Sequence, residues 1–494
     1  MSLEMHRRGF LKSAAVVPLA ASGLAATPAI AKDAYASLDL MGQAALIKSK
    51  KATALDLVDA AIARIEAVNP KLNAVVTETF DMARTRAKGP LPQGPLSGAP
   101  YLIKDLNDVK GVRTTMGSRL FARQIASRNA AMAQSALDAG MIVIGKTNTP
   151  EFGLLATTES VLLGPCHNPW NLEHSTGGSS GGAASAVAAG ILPAAHASDG
   201  GGSIRIPASC CGVFGMKPSR GRMNLGSDTL PGDIGVENCV TRTVRDSAMI
   251  FSLAEDRSAK APLRAIGFIP SASSRRLKIA FGTTNYFGTE PDADVKTALQ
   301  ATAKLCTGLG HTIIEAKNPL NGNEFIDAFL TVWAAGPAQL VQLAQSKKLK
   351  VQDVLEPWTI GLAEFFAKKP KSALPKALAY FKKVEAEIAA FIAQYDAWLT
   401  PVLSTPAPKL GVEGPLVPFD TLYDRVIHYV AYTPVHNVAG IPAMSVPLGM
   451  SMDGLPIGSM FAAAKGGEGT LYALAYELEK AQPWVNRKPG VYAD

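Results

Sequence analysis

Apolar residues recur along the chain with two spacings, and each spacing predicts a different kind of element. In residues 53–70 they recur every three or four positions and therefore share one face of a helix: Val58, Ile62, Ile65 and Val68. Thr53 and Asp56 have the spacing of a capping box, and Asn69–Pro70 predicts the C-terminal end. The pattern predicts an amphipathic helix that covers a core.

Short apolar runs with the character of strands follow this helix. They occupy residues 72–77, 100–105, 141–146, 277–282 and 311–316. Helices are predicted between them, at residues 128–140 and 293–310. Strands that alternate with helices predict an α/β domain with a substantially parallel or mixed sheet.

The pattern changes in the second half of the chain, which bears on domain organisation. Residues 255–276 are typical of a surface connection, and residues 320–395 are rich in predicted helix. Strand-like runs with Pro and Gly return at residues 395–408 and 436–464. We expect these late strands to rejoin the first sheet, giving a single domain over residues 32–494 with a helical insertion at about 320–395. Two separate domains are the less favoured alternative.

The N-terminus has the layout of a signal peptide over residues 1–31. Arg7–Arg8 and the Gly-Phe-Leu-Lys that follows resemble a twin-arginine export signal, and the small residues Ala29 and Ala31 suit cleavage. The apolar run between them is too short to span a bilayer. We therefore expect transient contact with the twin-arginine export machinery and a periplasmic or secreted protein without stable membrane insertion. An ordinary amphipathic N-terminus is the alternative.

Charge and cysteine content argue against several kinds of partner. The formal net charge of +8 falls to +6 without residues 1–31, and no run of Lys and Arg with interleaved aromatics predicts nucleic-acid binding. The five cysteines have irregular spacing and no CxxC pair, which supports neither a disulfide framework nor a zinc site. The sequence leaves the oligomeric state open, a homodimer included.

Two Gly-Ser clusters are the candidates for chemistry, GGSSGG at residues 177–182 and GGGS at residues 200–203. A serine hydroxyl becomes a nucleophile when a base takes its proton and N–H donors hold the oxyanion. Ser179 and Ser180 each stand at the centre of G-x-S-x-G, the nucleophile-elbow pattern, but no strand is expected directly before them. Ser203 follows three glycines, whose backbone can approach a substrate closely.

The base for such a serine does not stand out among the histidines. His167, His174 and His196 are expected to be structural residues. A lysine can serve when burial keeps its amine neutral, and Lys104 lies inside an apolar, strand-like run. A buried ion pair between Lys104 and Asp105 or another carboxylate is the alternative.

Four motifs, in order along the chain, together resemble the amidase signature family. They are GPLSGAPYLIKDLNDVKGVRTTMGS, GKTNTPEFG, NPWNLEHSTGGSSGG and SDGGGSIRIPASCCGVFGMKPSRGR. The likeness covers residues 38–250 and 396–485, and the region between matches nothing recognisable. The family's catalytic set is a Ser–cisSer–Lys triad whose serines are 24 positions apart, as Ser179 and Ser203 are.

The resemblance implies a role for each matching residue. Lys104 is implied as general base, Ser179 as bridging serine after a cis peptide bond from Gly178, and Ser203 as nucleophile. Backbone N–H groups of four consecutive residues are implied as the oxyanion hole: Gly200, Gly201, Gly202 and Ser203. Asp199 and Arg205 are implied to brace this loop. Gly200 departs from the Ile or Thr that is commoner there.

The resemblance also implies the fold and the reaction. It implies a large mixed, mostly parallel twisted sheet covered by helices, with a helical insertion. It implies hydrolysis of a small-molecule amide through an acyl-enzyme, with no metal or cofactor. A glutamine amidotransferase-type subunit and a catalytically silent binding protein on the same fold are the alternatives.

Substrate choice is expected to depend on the insertion. Its aromatic residues are expected to form an apolar wall: Phe325, Phe329, Trp333, Trp358, Phe365 and Phe366. Lys347 and Lys368 are expected near the rim, where they favour an apolar, medium-sized amide that carries a carboxylate. For any single residue, the alternative is favoured: the aromatics as ordinary helix core and the lysines as a solvated face. The tail at residues 451–490 is similar to that of 6-aminohexanoate cyclic-dimer hydrolases, so linear and cyclic oligoamides are expected test substrates.

Overall fold

Helices and strands alternate through residues 35–225 and 233–493, which the computed structural model describes. The predicted signal peptide lies outside the described residues. The helices are α1 (Leu40–Lys48), α2 (Ala54–Leu72), α3 (Phe80–Lys88), α4 (Ala131–Asp138), α5 (Gly181–Ala188), α6 (Arg205–Cys211), α7 (Val244–Ala254), α8 (Ala293–Gly308), α9 (Gly322–Ser346), α10 (Val351–Val354), α11 (Pro357–Ala367), α12 (Ala373–Ile392), α13 (Phe419–Tyr429), α14 (Pro434–Val438) and α15 (Glu468–Ala481).

The strands build one large sheet and several small ones. They are β1 (Val75–Glu78), β2 (Pro100–Lys104), β3 (Ile142–Thr147), β4 (Glu159–Ser160), β5 (Gly164–Pro165), β6 (His167–Asn168), β7 (Asn171–Ser175), β8 (Ala194–Asp199), β9 (Phe214–Lys217), β10 (Val236–Thr241), β11 (Lys278–Phe281), β12 (Thr312–Glu315), β13 (Ala397–Pro401), β14 (Ala443–Met450) and β15 (Pro456–Ala462). The large sheet has the order β12-β11-β13-β15-β14-β9-β10-β8. The order β1-β3-β2 forms a separate three-stranded sheet.

The large sheet is mixed, as expected, but the expectation that it is mostly parallel is wrong. Strand β11 runs parallel to β12 and β13, whereas the neighbours from β13 to β8 pair antiparallel. Two local features cause this. A tight turn joins β14 to β15, and β10 returns between β8 and β9, which are linked through α6. The alternation of strands and helices in the sequence does not show which neighbouring strands pair antiparallel.

The expectation that the late strands rejoin the first sheet is confirmed for β11 and β12 and is wrong for β1, β2 and β3. Strand β14 pairs with β9, with Ala443 opposite Lys217, and β13 pairs with β11. The first strands of the chain, β1 to β3, stay in their own sheet. The late strands therefore share a sheet with β8, and β8 leads directly into the Ser203 loop.

Helix α2 confirms the first predicted element and corrects its end. The Thr53 hydroxyl accepts the Asp56 N–H, and the Asp56 carboxylate accepts the Thr53 N–H, so the predicted capping box is present. The helix continues past Pro70 to Leu72 and ends at Asn73, whose φ of +50° is left-handed. A proline in the last turn therefore does not end this helix.

Helices α9 to α12 occupy the predicted insertion and pack an aromatic face towards the rest of the protein. Phe325 and Phe329 of α9 are buried in the same apolar cluster as Trp398 of β13 and Val435 of α14. The insertion thereby lies against the elements that surround Ser203. Within the described residues, no helix is both long and apolar enough to cross a membrane.

Candidate active site

Lys104 is the last residue of β2, and its side chain is completely buried. Its Nζ lies 2.7 Å from Ser179 Oγ, 2.9 Å from Ser180 Oγ and 3.0 Å from Ser198 Oγ. These are hydrogen-bond distances, and all three partners are neutral hydroxyl groups. Among the residues that the structure describes, no carboxylate contacts the amine directly, although such a contact usually keeps a buried lysine protonated.

Burial lowers the pKa of Lys104 from its usual value to about 7. The carboxylates of Glu237 and Asp199 raise this pKa, but by less than burial lowers it. Glu237 lies on β10, where the Asn107 amide donates to both of its oxygens at 2.9 and 2.8 Å. A lysine with this pKa is partly neutral at neutral pH, unlike an exposed lysine.

Asp105, the alternative partner of Lys104, pairs with a different lysine. Its Oδ1 lies 3.1 Å from Lys146 Nζ, and both side chains are completely buried. Its Oδ2 accepts hydrogen bonds from the N–H and the hydroxyl of Thr115. Because consecutive residues of an extended chain point to opposite sides, Lys104 and Asp105 diverge. The ion-pair interpretation of Lys104 is therefore wrong.

Ser179 and Ser180 stand directly before α5, and the Gly178–Ser179 peptide bond is cis, as the resemblance implies. A Cβ at position 178 would lie 2.5 Å from the Thr157 carbonyl oxygen, so only glycine fits there. The Ser180 hydroxyl donates to the Ser198 carbonyl oxygen at 3.2 Å. Ser180 is thus engaged inside the protein, whereas Ser179 borders a cavity.

The expectation that no strand precedes GGSSGG is wrong. Strand β7 ends at Ser175 and pairs with β6 in a two-stranded hairpin. Most of its residues are exposed or half-buried, and the run Asn-Leu-Glu-His-Ser lacks the apolar character of a central strand. A nucleophile elbow stands instead at the top of the main sheet of an α/β-hydrolase. Because β7 belongs to a small exposed hairpin, Ser179 and Ser180 do not form a nucleophile elbow.

Ser203 lies between β8 and α6, and it is 7% exposed. Among the described residues, the N–H groups of Gly200, Gly201 and Ser203 have no hydrogen-bond acceptor. The N–H of Gly202 donates to Asp199 Oδ1 at 2.8 Å. The assignment of Gly202 to the oxyanion hole is therefore corrected, because its only donor is already used. Three backbone donors remain for an oxyanion.

Asp199 and Arg205 brace the loop around Ser203, as the resemblance implies. The Arg205 guanidinium donates to both Asp199 oxygens at 2.9 Å, in a bidentate pair that is completely buried. The same carboxylate accepts the N–H groups of Gly202 and Ile204. Burial alone would raise the pKa of Asp199, but Arg205 holds it well below its usual range. The loop is consequently fixed on both sides of Ser203.

A further bracing element, at the start of α14, was missed by the sequence analysis. The Thr433 hydroxyl donates to the Gly201 carbonyl oxygen at 2.6 Å. The Asn437 amide accepts from Arg205 at 2.7 Å and donates to Asp199 Oδ1 at 2.9 Å. The sequence feature that could have indicated this role is the pair His436–Asn437, which lies inside an otherwise apolar stretch at residues 434–444.

The three histidines have structural contacts, as expected. The Nδ1 atoms of His167 and His174 lie 2.7 and 2.8 Å from backbone carbonyl oxygens. The Nδ1 of His196 accepts the Lys104 backbone N–H at 3.3 Å, and its Nε2 lies 3.4 Å from Glu237 Oε2. His196 therefore helps to hold β2 beside β8 and β10.

Ser203 borders two cavities that meet beside it. The larger, of about 560 Å³, we call the charged chamber, since its lining includes Asp108, Arg128, Asp233 and Glu237 along with Ser179. The smaller, of about 50 Å³, we call the apolar chamber; it is lined by residues such as Leu154, Ile206, Ile326, Phe329, Leu330, Trp358 and Val430. Gly153, Ser203 and Trp333 border both chambers. In the described parts of the chain, no group of three or more His, Cys, Asp or Glu residues could hold a metal ion.

Half of the expected aromatic wall lines the apolar chamber. Phe329, Trp333 and Trp358 border it. Phe325 lies behind Phe329, with ring centroids 6.2 Å apart, and is fully buried. Phe365 and Phe366 belong to a neighbouring apolar cluster, outside the lining of the chamber. The wall is thus formed mainly by α9, whose rings stack along one helix face.

The expectation that Lys347 and Lys368 lie near the rim of the substrate pocket is wrong. Lys347 and Lys368 are exposed and border neither chamber. Lys347 lies over the Phe121 ring, 6.0 Å from its centroid. Both lysines come directly after the C-terminal ends of helices, away from the faces that approach Ser203. Arg128 is the cationic side chain that does border the charged chamber.

Comparisons with known proteins find one family of similar proteins. The Amidase family model matches residues 56–472. The AmiC protein of Mycobacterium tuberculosis (strain H37Rv) is 38% identical over 464 residues, which cover 92% of this chain and 97% of AmiC. The 6-aminohexanoate-cyclic-dimer hydrolase of Pseudomonas sp. (strain NK87) is 34% identical, with 91% and 96% covered. A solved 6-aminohexanoate cyclic dimer hydrolase in complex with substrate has a TM-score of 0.85 at 30% identity, with 92% and 99% covered.

The family match also extends the likeness seen in the sequence. It includes residues 251–395, a region that the motifs left unplaced. An acylamidase of Rhodococcus erythropolis is similar over 90% of this chain, at 32% identity. The chain belongs to the amidase signature family, and it is an amidase, a hydrolase that acts on amides.

Proposed function

We propose that this amidase cleaves carboxylic amides through an acyl-enzyme on Ser203, with Lys104 as the base and Ser179 as the proton relay. The observation that carries the proposal is the contact of 2.7 Å between the buried Lys104 amine and Ser179 Oγ. Ser179 borders the same chamber as Ser203. A base with a pKa of about 7 is therefore connected, through one hydroxyl, to the cavity of the nucleophile.

In the first half of the proposed reaction, Ser203 Oγ bonds to the amide carbonyl carbon. Its proton passes to Ser179, while the Ser179 proton passes to the neutral amine of Lys104. The carbonyl electron pair moves onto oxygen, and the N–H groups of residues 200, 201 and 203 hold the resulting oxyanion. Because Asp199 and Arg205 fix this loop, the donors need little rearrangement during the reaction.

In the second half, the C–N bond breaks and the leaving nitrogen takes a proton from Ser179, which recovers one from Lys104. A water molecule then attacks the ester carbon of the acyl-enzyme and loses a proton through the same relay. Ser203 regains its proton as the carboxylic acid leaves. Each turnover restores a neutral Lys104.

The proposed substrates are linear or cyclic amides of apolar character and medium size. The apolar chamber beside Ser203 and the aromatic face of α9 support this class. The similarity to 6-aminohexanoate-cyclic-dimer hydrolase supports the inclusion of cyclic oligoamides among the test substrates.

The proposed base predicts a pH profile for kcat/KM. Lys104 must be neutral to accept a proton, and its pKa of about 7 leaves it protonated in acid. We expect kcat/KM to be low below this pH, to rise tenfold per pH unit on the acidic side, and to level off above pH 8. Initial rates at low substrate concentration between pH 5 and 9 measure the profile, roughly two pH units on either side of neutral.

The variant Glu237→Gln tests whether Lys104 is the group whose titration causes the acidic limb of the kcat/KM profile. The Glu237 carboxylate raises the pKa of Lys104, so its removal should move the acidic limb to lower pH. Lys217 also has a pKa of about 7, lowered first by burial, but Glu237 is not among the main charges that act on it. An acidic limb that stays in place in this variant would argue against Lys104 as the titrating base.

We also propose that residues 1–31 direct export by the twin-arginine route to the periplasm or beyond. Arg7–Arg8 carries this proposal. A reporter fused after residue 31 is expected outside the cytoplasm, and Arg7→Lys together with Arg8→Lys is expected to retain it inside. A matched Lys12→Arg fusion should export normally. Export that persists without both arginines would refute the route.

A further inference from the structure

The two chambers differ in which catalytic serine they reach. Ser203 borders both, whereas Ser179 borders the charged chamber and is absent from the lining of the apolar chamber. In the proposed reaction, the leaving nitrogen takes its proton from Ser179. The leaving amine must therefore face the charged chamber, and the acyl group is left to the apolar chamber.

The apolar chamber limits the size of the acyl group. Its volume of about 50 Å³ is several times the volume of roughly 10–15 Å³ that holds one water. Phe329 and Trp333, whose ring centroids are 5.4 Å apart, form one wall. A Cβ at position 200 would lie 3.1 Å from the Trp333 ring, so glycine there lets this ring approach the loop. A short apolar acyl chain fits this space.

The charged chamber has an excess of carboxylates among the described residues. The carboxylates that border it are Asp108, Asp199, Asp233 and Glu237. Asp199 is paired with Arg205, which leaves three carboxylates against Arg128, the one cation in the described lining. Burial raises the pKa of Glu237, but contacts led by His196 lower it more, so Glu237 is ionised at neutral pH. Negative charge therefore dominates the space that receives the leaving amine.

One of these carboxylates has unused capacity for a ligand. Asp108 Oδ1 is buried and has no hydrogen-bond partner among the described residues. Asp233 Oδ1, in contrast, accepts the Gly235 N–H at 2.7 Å. The Asp108 side chain as a whole is half-buried and borders the charged chamber, so its charge is available to a ligand there.

We infer that the charged chamber binds a second, positively charged group on the leaving amine, and that Asp108 is its main partner. The preferred substrates are then amides between a short apolar acid and an amine that carries a protonated amino group. This inference rests on the proposed function. It also replaces the earlier expectation that Lys347 and Lys368 select a substrate with a carboxylate.

Three amides with one acyl group test the inference. They are N-(3-aminopropyl)butanamide, N-butylbutanamide and N-butanoyl-β-alanine, which carry a cationic, a neutral and an anionic amine portion. We expect kcat/KM to fall roughly tenfold from the cationic to the neutral amide, and roughly tenfold again to the anionic amide. Salt should weaken the preference for the cation, because added ions screen the chamber charges.

Asp108→Asn keeps the shape of the side chain and removes its charge. We expect it to reduce the ratio of kcat/KM between the cationic and neutral amides severalfold, mainly through KM. Asp233→Asn should reduce the ratio less, because Asp233 Oδ1 already accepts a backbone N–H. Asp453→Asn is the matched control, since Asp453 is exposed and borders neither chamber. It should leave the ratio unchanged.

Binding to the Ser203→Ala protein separates this inference from the proposed function. Calorimetry on this variant should show the order cationic, neutral, anionic in decreasing affinity. Equal binding of the three amides, or tighter binding of the anionic amide, would overturn the inference whether or not the native protein hydrolyses them. Cation-selective binding without hydrolysis by the native protein would support the inference and refute the proposed reaction.

Discussion

Ser203→Ala is expected to lower kcat/KM for amides by roughly 10⁴- to 10⁶-fold. Ser203 borders both chambers and lies among the three backbone donors that remain for an oxyanion. Alanine leaves the oxyanion site in place but removes the atom that bonds to the carbonyl carbon. Steady-state rates and product analysis on one amide measure the loss, and an unchanged thermal midpoint shows that the fold is retained.

Ser180→Ala is the matched control for this result. Ser180 also contacts Lys104, at 2.9 Å, but its hydroxyl donates to the Ser198 carbonyl oxygen and it borders neither chamber. We expect a loss of roughly tenfold, the scale of one supporting hydrogen bond. Near-normal turnover in Ser203→Ala, with turnover abolished in Ser180→Ala, would place the nucleophile in the GGSSGG cluster instead.

Lys104→Met should lower kcat by roughly 10³-fold or more, because members of a catalytic set act as one unit. Methionine fills much of the buried space but accepts no proton from Ser179. Lys104→Arg should not restore activity, since a guanidinium stays protonated throughout the accessible pH range. Single-turnover rates at pH 8, roughly one unit above the pKa of Lys104, measure the chemical step.

Lys217→Met is the control that isolates the relay contact. Lys217 is also completely buried, and burial lowers its pKa to about 7, but its amine donates to the Pro218 carbonyl oxygen. A change at position 217 should affect the thermal midpoint more than the chemical step. Full activity in Lys104→Arg would exclude a neutral lysine as the base.

Sequence reasoning predicted several local elements and the contact between Lys104 and Ser179. The capping box of α2 follows from Thr53 and Asp56 alone, because the motif is formed by residues three positions apart. The proximity of Lys104 and Ser179 depended on family likeness, because residues 75 positions apart meet only through the fold. Their side chains lie within hydrogen-bond distance, as that likeness implied.

Long-range arrangement was beyond the sequence. The antiparallel pairing of β14 with β9 brings residues 443–445 beside residues 215–217, which no local pattern predicts. The role of Asn437 likewise arises from the contact of its amide with Asp199, a residue 238 positions away in the chain. The use of the Gly202 N–H by Asp199 could not be read from the glycine run, because all three glycines look alike in sequence.

Mapping of a covalent label tests the central claim most directly. The native protein is treated with a fluorophosphonate, digested and analysed by mass spectrometry, with Ser203→Ala and Lys104→Met treated in parallel. We expect one labelled site, Ser203, in the native protein, no label in Ser203→Ala, and strongly slowed labelling in Lys104→Met. A label on Ser179 or Ser180, or no label on a native protein that hydrolyses amides, would contradict it.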